Sequence, residues 1–217
     1  MSEVPRRRAL LAAASGIAAL AGCAGSESAS NSALTRQRPV EEYELETARD
    51  ERGSALFAEG ETLPSPSADG PARQHRRAHR VLVADDEAAA LTFAETEPGE
   101  ALRSFCDATD FDAASVYLIA MPVRACREIL LESVTVDRDE LAEGDLHPNA
   151  DFCEAYRPAD VECGPDEIHT AGFAIRMPVA ASHSTGSGRG MSGSCRRGDP
   201  PAVFNSSAAS DAGGDGS

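Results

Sequence analysis

Thr170-Ala171-Gly172-Phe173-Ala174-Ile175-Arg176-Met177-Pro178-Val179 is the stretch that decides the fold. Phe173, Ile175 and Met177 fall on one face of an extended chain while Ala174 and Arg176 fall on the other, which is the period of a strand with one buried face. Working back from it, Ile129-Leu130-Leu131-Glu132-Ser133-Val134-Thr135-Val136 carries a partial period of two. Ala114-Ser115-Val116-Tyr117-Leu118-Ile119-Ala120 is a β-rich run ended by Pro122. Val81-Leu82-Val83 is a shorter apolar run. Between them Gly99 to Asp107 places Ala101, Leu102, Phe105 and Cys106 at helical spacing. These pieces predict a mostly β domain over 73–182, a small antiparallel β-sandwich or rolled sheet with one short helix. If Glu87–Asp107 is more helical than this, the alternative is an α+β fold.

The flanks read differently. Residues 23–72 are expected to form a flexible tether: 24–40 are mostly Ser, Ala, Gly and Asn, and Val40–Phe57 would make at best a marginal solvated helix. Leu63-Pro64-Ser65-Pro66-Ser67-Ala68-Asp69-Gly70-Pro71 is a run of turn formers that stops any element before the domain. Residues 183–217, beginning with a Ser/Gly-rich segment and ending in Ser, Ala, Asp and Gly, are expected to be a disordered tail.

The N-terminus carries an address. Arg6, Arg7 and Arg8 precede the apolar run Ala9–Ala21, which is long enough for a signal h-region and shorter than the roughly 20 residues a membrane span needs. Arg7 and Arg8, followed by Ala9-Leu10-Leu11, resemble a twin-arginine export signal. Leu20-Ala21-Gly22-Cys23 resembles a lipobox, so 1–22 is expected to be a removed signal peptide. Cys23 would then be the lipidated N-terminus, because two acyl chains bury enough CH₂ groups for stable anchoring.

The chain of 217 residues carries 36 acidic against 20 basic side chains, a formal charge of −16. Every basic residue is Arg. Removing 1–22 takes away Glu3 and three arginines and leaves a net −18, spread along the chain rather than gathered in one tail. Such a surface excludes general nucleic-acid binding, which needs clustered basic charge to displace phosphate counterions. A dispersed carboxylate surface without Lys resembles the proteins of extreme halophiles, where molar salt screens self-repulsion. Arg73, His75, Arg76, Arg77, His79 and Arg80 form the one sizeable basic island. It would either pair with the domain's own carboxylates or contact an acidic partner or anionic surface.

Cys106, Cys126, Cys153, Cys163 and Cys195 remain after Cys23. Outside the membrane disulfides are the default and an odd count leaves one thiol over. Cys153 with Cys163 is the favoured pair, closing a short Pro-containing loop, with Cys126 paired to Cys195 or Cys106. A competing reading takes Cys153, Cys163 and His169, with His147 as a further candidate, as ligands to zinc or copper, although the spacings match no common zinc module. His75 and His79 sit among arginines that would oppose a cation. Ser192 lies in Gly190-Met191-Ser192-Gly193-Ser194, which lacks the final Gly of a nucleophile elbow. The loop Gly186-Ser187-Gly188-Arg189-Gly190 could offer backbone N–H groups to an anion but has no helix behind it. Asp85-Asp86-Glu87 and Asp137, Asp139, Glu140 lack the spacing of a calcium loop.

His79-Arg80-Val81-Leu82, Phe105 through Thr109-Asp110-Phe111, Arg124-Ala125-Cys126-Arg127, Cys163 and Ile175-Arg176-Met177-Pro178 together resemble a family of uncharacterised haloarchaeal lipoproteins with a twin-arginine signal and lipobox. The resemblance covers about half the chain and implies location without implying any catalytic residue. The expectation is therefore a lipid-anchored surface protein on the outer face of the cell membrane. It would act without a cofactor as a non-enzymatic binding or interaction module for an unknown extracytoplasmic partner. The alternative is an extracytoplasmic metal- or redox-active Cys/His protein.

Overall fold

The computed structural model describes residues 36–65 and 74–195. In chain order the strands are β1 (Gln37–Pro39), β2 (Glu44–Asp50), β3 (Phe57–Glu59), β4 (Ala78–Leu82), β5 (Leu91–Phe93), β6 (Ser115–Arg124) and β7 (Arg127–Asp137). They continue as β8 (Asp145–Leu146), β9 (Pro148–Tyr156), β10 (Ile168–Met177), β11 (His183–Ser184) and β12 (Gly188–Ser192). The helices are α1 (Asp85–Ala89), α2 (Glu97–Asp107) and α3 (Arg138–Glu143). Two open four-stranded sheets, in the orders β2-β10-β6-β4 and β1-β7-β9-β12, are accompanied by two short ladders, β3-β5 and β8-β11.

The deciding stretch forms β10, the strand with Phe173, Ile175 and Met177 turned to one side. They meet Tyr117, Ile119 and Met121 of β6 and Val134, Val136, Ala150 and Phe152 of the second sheet in one core. Phe152 and Phe173 have ring centroids 4.9 Å apart. The other face of the first sheet, with Val116, Leu118, Ala120 and Ala174, packs on Leu102 and Cys106 of α2 and on Leu56 and Phe57. β6 is thus covered on both sides, which is why its sequence is a continuous apolar run rather than an alternation. Gly172 lets α2 come close: a Cβ there would lie 2.6 Å from Leu56 Cδ1 and 2.9 Å from Leu102 Cδ1.

Helix α2 has clear local causes. Thr96 is its N-cap, accepting from Gly99 N–H, and Pro98 sits in the first turn. At the other end Arg176 of β10 donates to the Phe105 carbonyl at 2.8 Å and to Thr109 Oγ1 at 2.9 Å, pairs with Glu44 at 2.7 Å, and lies 4.3 Å from the Phe105 ring centroid. A guanidinium here satisfies a last-turn carbonyl and complements the negative end of the helix dipole.

The expected mostly β fold, a sandwich or rolled sheet with one short helix, is overturned: the protein is a mixed α/β fold with open sheets and three helices among the described residues. Glu87–Asp107 holds all of α2 and part of α1, the helical content on which the α+β alternative depended. The helices were hard to read because α1 and α3 are a few residues long, rich in acids and free of buried side chains. The disordered flanks are corrected as well. Within the expected tether, β2 pairs with β10 along its whole length from Thr170↔Asp50 to Arg176↔Glu44. Within the expected tail, β11 and β12 pair in parallel with β8 and β9. Residues 1–35, with Arg7, Arg8 and Cys23, lie outside the described residues, as do Arg73 and 196–217.

Candidate functional site

The outer face of the β7-β9-β12 sheet carries a groove of about 730 Å³. Three local devices shape it. First, the β7-β9 register runs from Leu131↔Phe152 to Ser133↔Asp151 and leaves Glu132 as an extra residue, and such a bulge bends its strand and re-aims side chains. Second, β12 carries Gly188 and Gly190 opposite Asn149 and Asp151, and a Cβ at either glycine would collide with the facing polar side chain. The Gly-rich segment therefore forms a strand that leaves room for its neighbours' side chains. Third, the Cys153–Cys195 disulfide ties the end of β12 to β9 and forms part of the groove wall.

Inside the groove the polar groups are bonded to one another. Ser133 Oγ donates to Asp151 at 3.1 Å, and Ser192 Oγ donates to the Ser194 carbonyl at 3.0 Å and to Glu132 at 3.5 Å. Leu130, 43% exposed, and Met191, 49% exposed, supply apolar surface beside them. The combination of exposed aliphatic area with carboxylates and hydroxyls suits recognition of a ligand that is partly apolar and a hydrogen-bond donor. Among the described residues Ser192 is bonded to Glu132 and the Ser194 carbonyl and to no histidine.

The other sequence candidates are dispersed. Cys126 pairs with Cys163 and Cys153 with Cys195, so the favoured Cys153–Cys163 bond is not the one formed. Proximity in sequence misleads here because Cys153 belongs to β9 and is bonded beyond β12, whereas Cys163 lies on the loop after β9 and meets the β6-β7 turn. Cys106 is a free thiol buried under α2, and burial pushes its pKa up to about 12, so it stays protonated and unreactive.

The metal trio of Cys153, Cys163 and His169 does not assemble: the two sulfurs belong to separate disulfides. Instead His169 Nδ1 accepts from Arg49 Nε at 2.9 Å, and burial, then the Arg49 charge, holds its pKa below the usual histidine value. The rest of the Arg49 guanidinium donates to the Arg124, Ala125 and Arg127 carbonyls at 3.0 to 3.2 Å. His147 bonds Thr185 at 3.3 Å and lies 3.6 Å from Glu140. Among the described residues no group of three His, Cys, Asp or Glu is placed to hold a metal ion. The basic island is divided: Arg80 pairs with Glu59, Arg76 donates to the Gly53 carbonyl, and Arg77 turns toward a crevice between the sheets. Asp85, Asp86, Glu87, Asp139 and Glu140 serve helix first turns, with Asp137 capping α3.

Sequence reasoning missed Glu132, Asp151 and Leu130 as groove residues. The signal for them was the paired glycines at 188 and 190 and the broken alternation at 131–133, which mark a bulge beside a strand packed on polar side chains. No protein-family model matches the chain, and neither does any curated protein or solved structure.

Proposed function

We propose that this protein is a lipid-anchored, extracytoplasmic binding module whose recognition surface is the groove beside the Cys153–Cys195 disulfide. The observation that carries the reading is the pair of formed disulfides, Cys126–Cys163 and Cys153–Cys195, in a chain with only one other described cysteine, which is buried. Disulfides of this kind persist in oxidising compartments and are rare in reducing ones. The sequence Leu20-Ala21-Gly22-Cys23 supplies the matching anchor. The role assigned is binding because the groove offers apolar surface and mutually bonded polar groups.

Fractionation of the native host tests both parts. The expected result is full-length mature protein in the membrane fraction, degraded by protease added to intact cells, with Cys23→Ser released into the medium or held as precursor. Recovery in the cytosol with free thiols would contradict the reading.

A second reading is favoured by one specific feature: Cys195 is only half-buried and its disulfide borders the groove. An accessible disulfide beside a binding surface is suited to thiol–disulfide exchange with a bound thiol. Redox titration separates the two. A structural staple resists reduction at the glutathione poise, while an exchanging bond opens there.

A further inference from the structure

A second cavity, about 300 Å³, lies at one end of the interface between the two sheets, where β6 runs out, β7 begins, and the edge strand β12 faces the approach to β4. Part of its wall is apolar, contributed by Met121, Val123, Ile129 and Met191. Three arginines reach it from three separate segments: Arg77 before β4, Arg124 at the end of β6 and Arg189 on β12. Among the described residues none of these three guanidiniums makes an ion pair or a hydrogen bond. The one carboxylate in the lining, Glu154, is already paired with Arg127 at 3.7 Å.

Arg36, Arg80, Arg127 and Arg176 are each paired with a carboxylate, whereas the exposed Arg77, Arg124 and Arg189 share one crevice without such a pair. Three arginines lining one crevice, with Glu154 as the one carboxylate beside them, leave it a net positive charge that an oxyanion complements. Guanidinium forks match phosphate oxygens in geometry and charge, and they are more weakly hydrated than an ammonium, so they give up water readily to such a ligand. The exposed Met191 finds a role as part of a deformable apolar wall for the body of the ligand. The volume is at the lower end for small-molecule sites, which limits that body to about the size of one ring.

We infer that this inter-sheet crevice binds a phosphomonoester group, held by Arg77, Arg124 and Arg189, with the apolar body of the ester against Met121, Val123, Ile129 and Met191. The crevice is distinct from the groove on the outer face but shares Met191 with it. The phosphomonoester can be carried by a soluble compound or by the headgroup of an anionic lipid, and the experiment has an arm for each.

The full chain is titrated with phenyl phosphate in solution, and separately mixed with phosphatidylcholine vesicles with and without phosphatidic acid, at a salt concentration where the fold is intact. Saturable binding is expected in at least one arm. Arg124→Gln and Arg189→Gln should each weaken it by about tenfold or more, as loss of a charge-assisted bidentate contact implies. Arg103→Gln, which removes an exposed charge on α2 away from the crevice, should leave it unchanged. Binding should also tighten as pH rises through about 6, where the ester takes its second charge. Because all three arginines sit at the rim, their variants are expected to keep the parent melting temperature. Absence of saturable binding in both arms, or binding that survives Arg77→Gln/Arg124→Gln/Arg189→Gln together, overturns the inference.

Discussion

Arg49 uses its guanidinium on the protein itself. Reaching from β2, it joins His169 of β10 to three carbonyls at the β6-β7 turn, so one side chain fixes the turn that also bears Cys126. Arg49→Leu would remove the donor to these carbonyls, of which Ala125 keeps a second one in Arg157, and is expected to cost about 2 kcal/mol of unfolding free energy, read from urea or guanidinium denaturation. His169 adds a pH dependence of defined sign. Its folded pKa lies below the 6.5 of a free histidine, so the unfolded chain takes a proton before the folded one does. The contribution is complete above pH 6.5 and is lost as pH falls through the folded pKa. His169→Gln keeps an acceptor for Arg49 without titrating, and its stability should fall less than the parent's between about pH 6.5 and 5; an unchanged slope would count against the role. Neither residue announces this in the sequence, since they are 120 positions apart and the contact is set by strand register.

Among the elements, β12 depends on its staple. It is a short edge strand whose glycines contribute no side-chain packing, and the Cys153–Cys195 bond closes a separation of 42 residues. Chain-entropy reasoning assigns such a loop about 4 kcal/mol. Cys153→Ser/Cys195→Ser is expected to lose a large part of that and to raise amide exchange in β12 well above that in β10; equal protection in both strands would contradict the dependence. Gly190→Val probes the same element from the other side, because its side chain must displace Asp151, breaking the Ser133 bond and reducing groove binding. The long strands β6, β7 and β10 were legible because burial imposes runs or alternation of large apolar residues. The edge strands were not. β2 alternates Leu45, Thr47 and Arg49 with mostly polar neighbours, and β12 replaces apolar signal with glycine, so both look like linker until their partners are in place. The groove was illegible for the same reason, since its shape comes from a bulge and from glycines rather than from a motif.

The whole molecule is held together against its own charge. With a net charge of −16, the chain has 36 acidic side chains against 20 arginines, and self-repulsion favours expansion at low ionic strength. Salt shortens the Debye length from about 10 Å at 0.1 M to about 3 Å at 1 M. The melting temperature should therefore rise over that range, whereas a value already at its plateau in 0.1 M salt would show that repulsion is not limiting. Against this repulsion stand the core shared by the two sheets, the α2 layer on the first sheet, and the two disulfides. The two disulfides hold β12 and the β6-β7 turn in place and so shape both the fold and the groove, which non-reducing peptide mapping of protein purified from its host tests. The predicted result is cross-linked peptides joining Cys126 to Cys163 and Cys153 to Cys195, with Cys106 alkylated only after denaturation. A Cys153–Cys163 cross-link, or free thiols at these four positions, would contradict it.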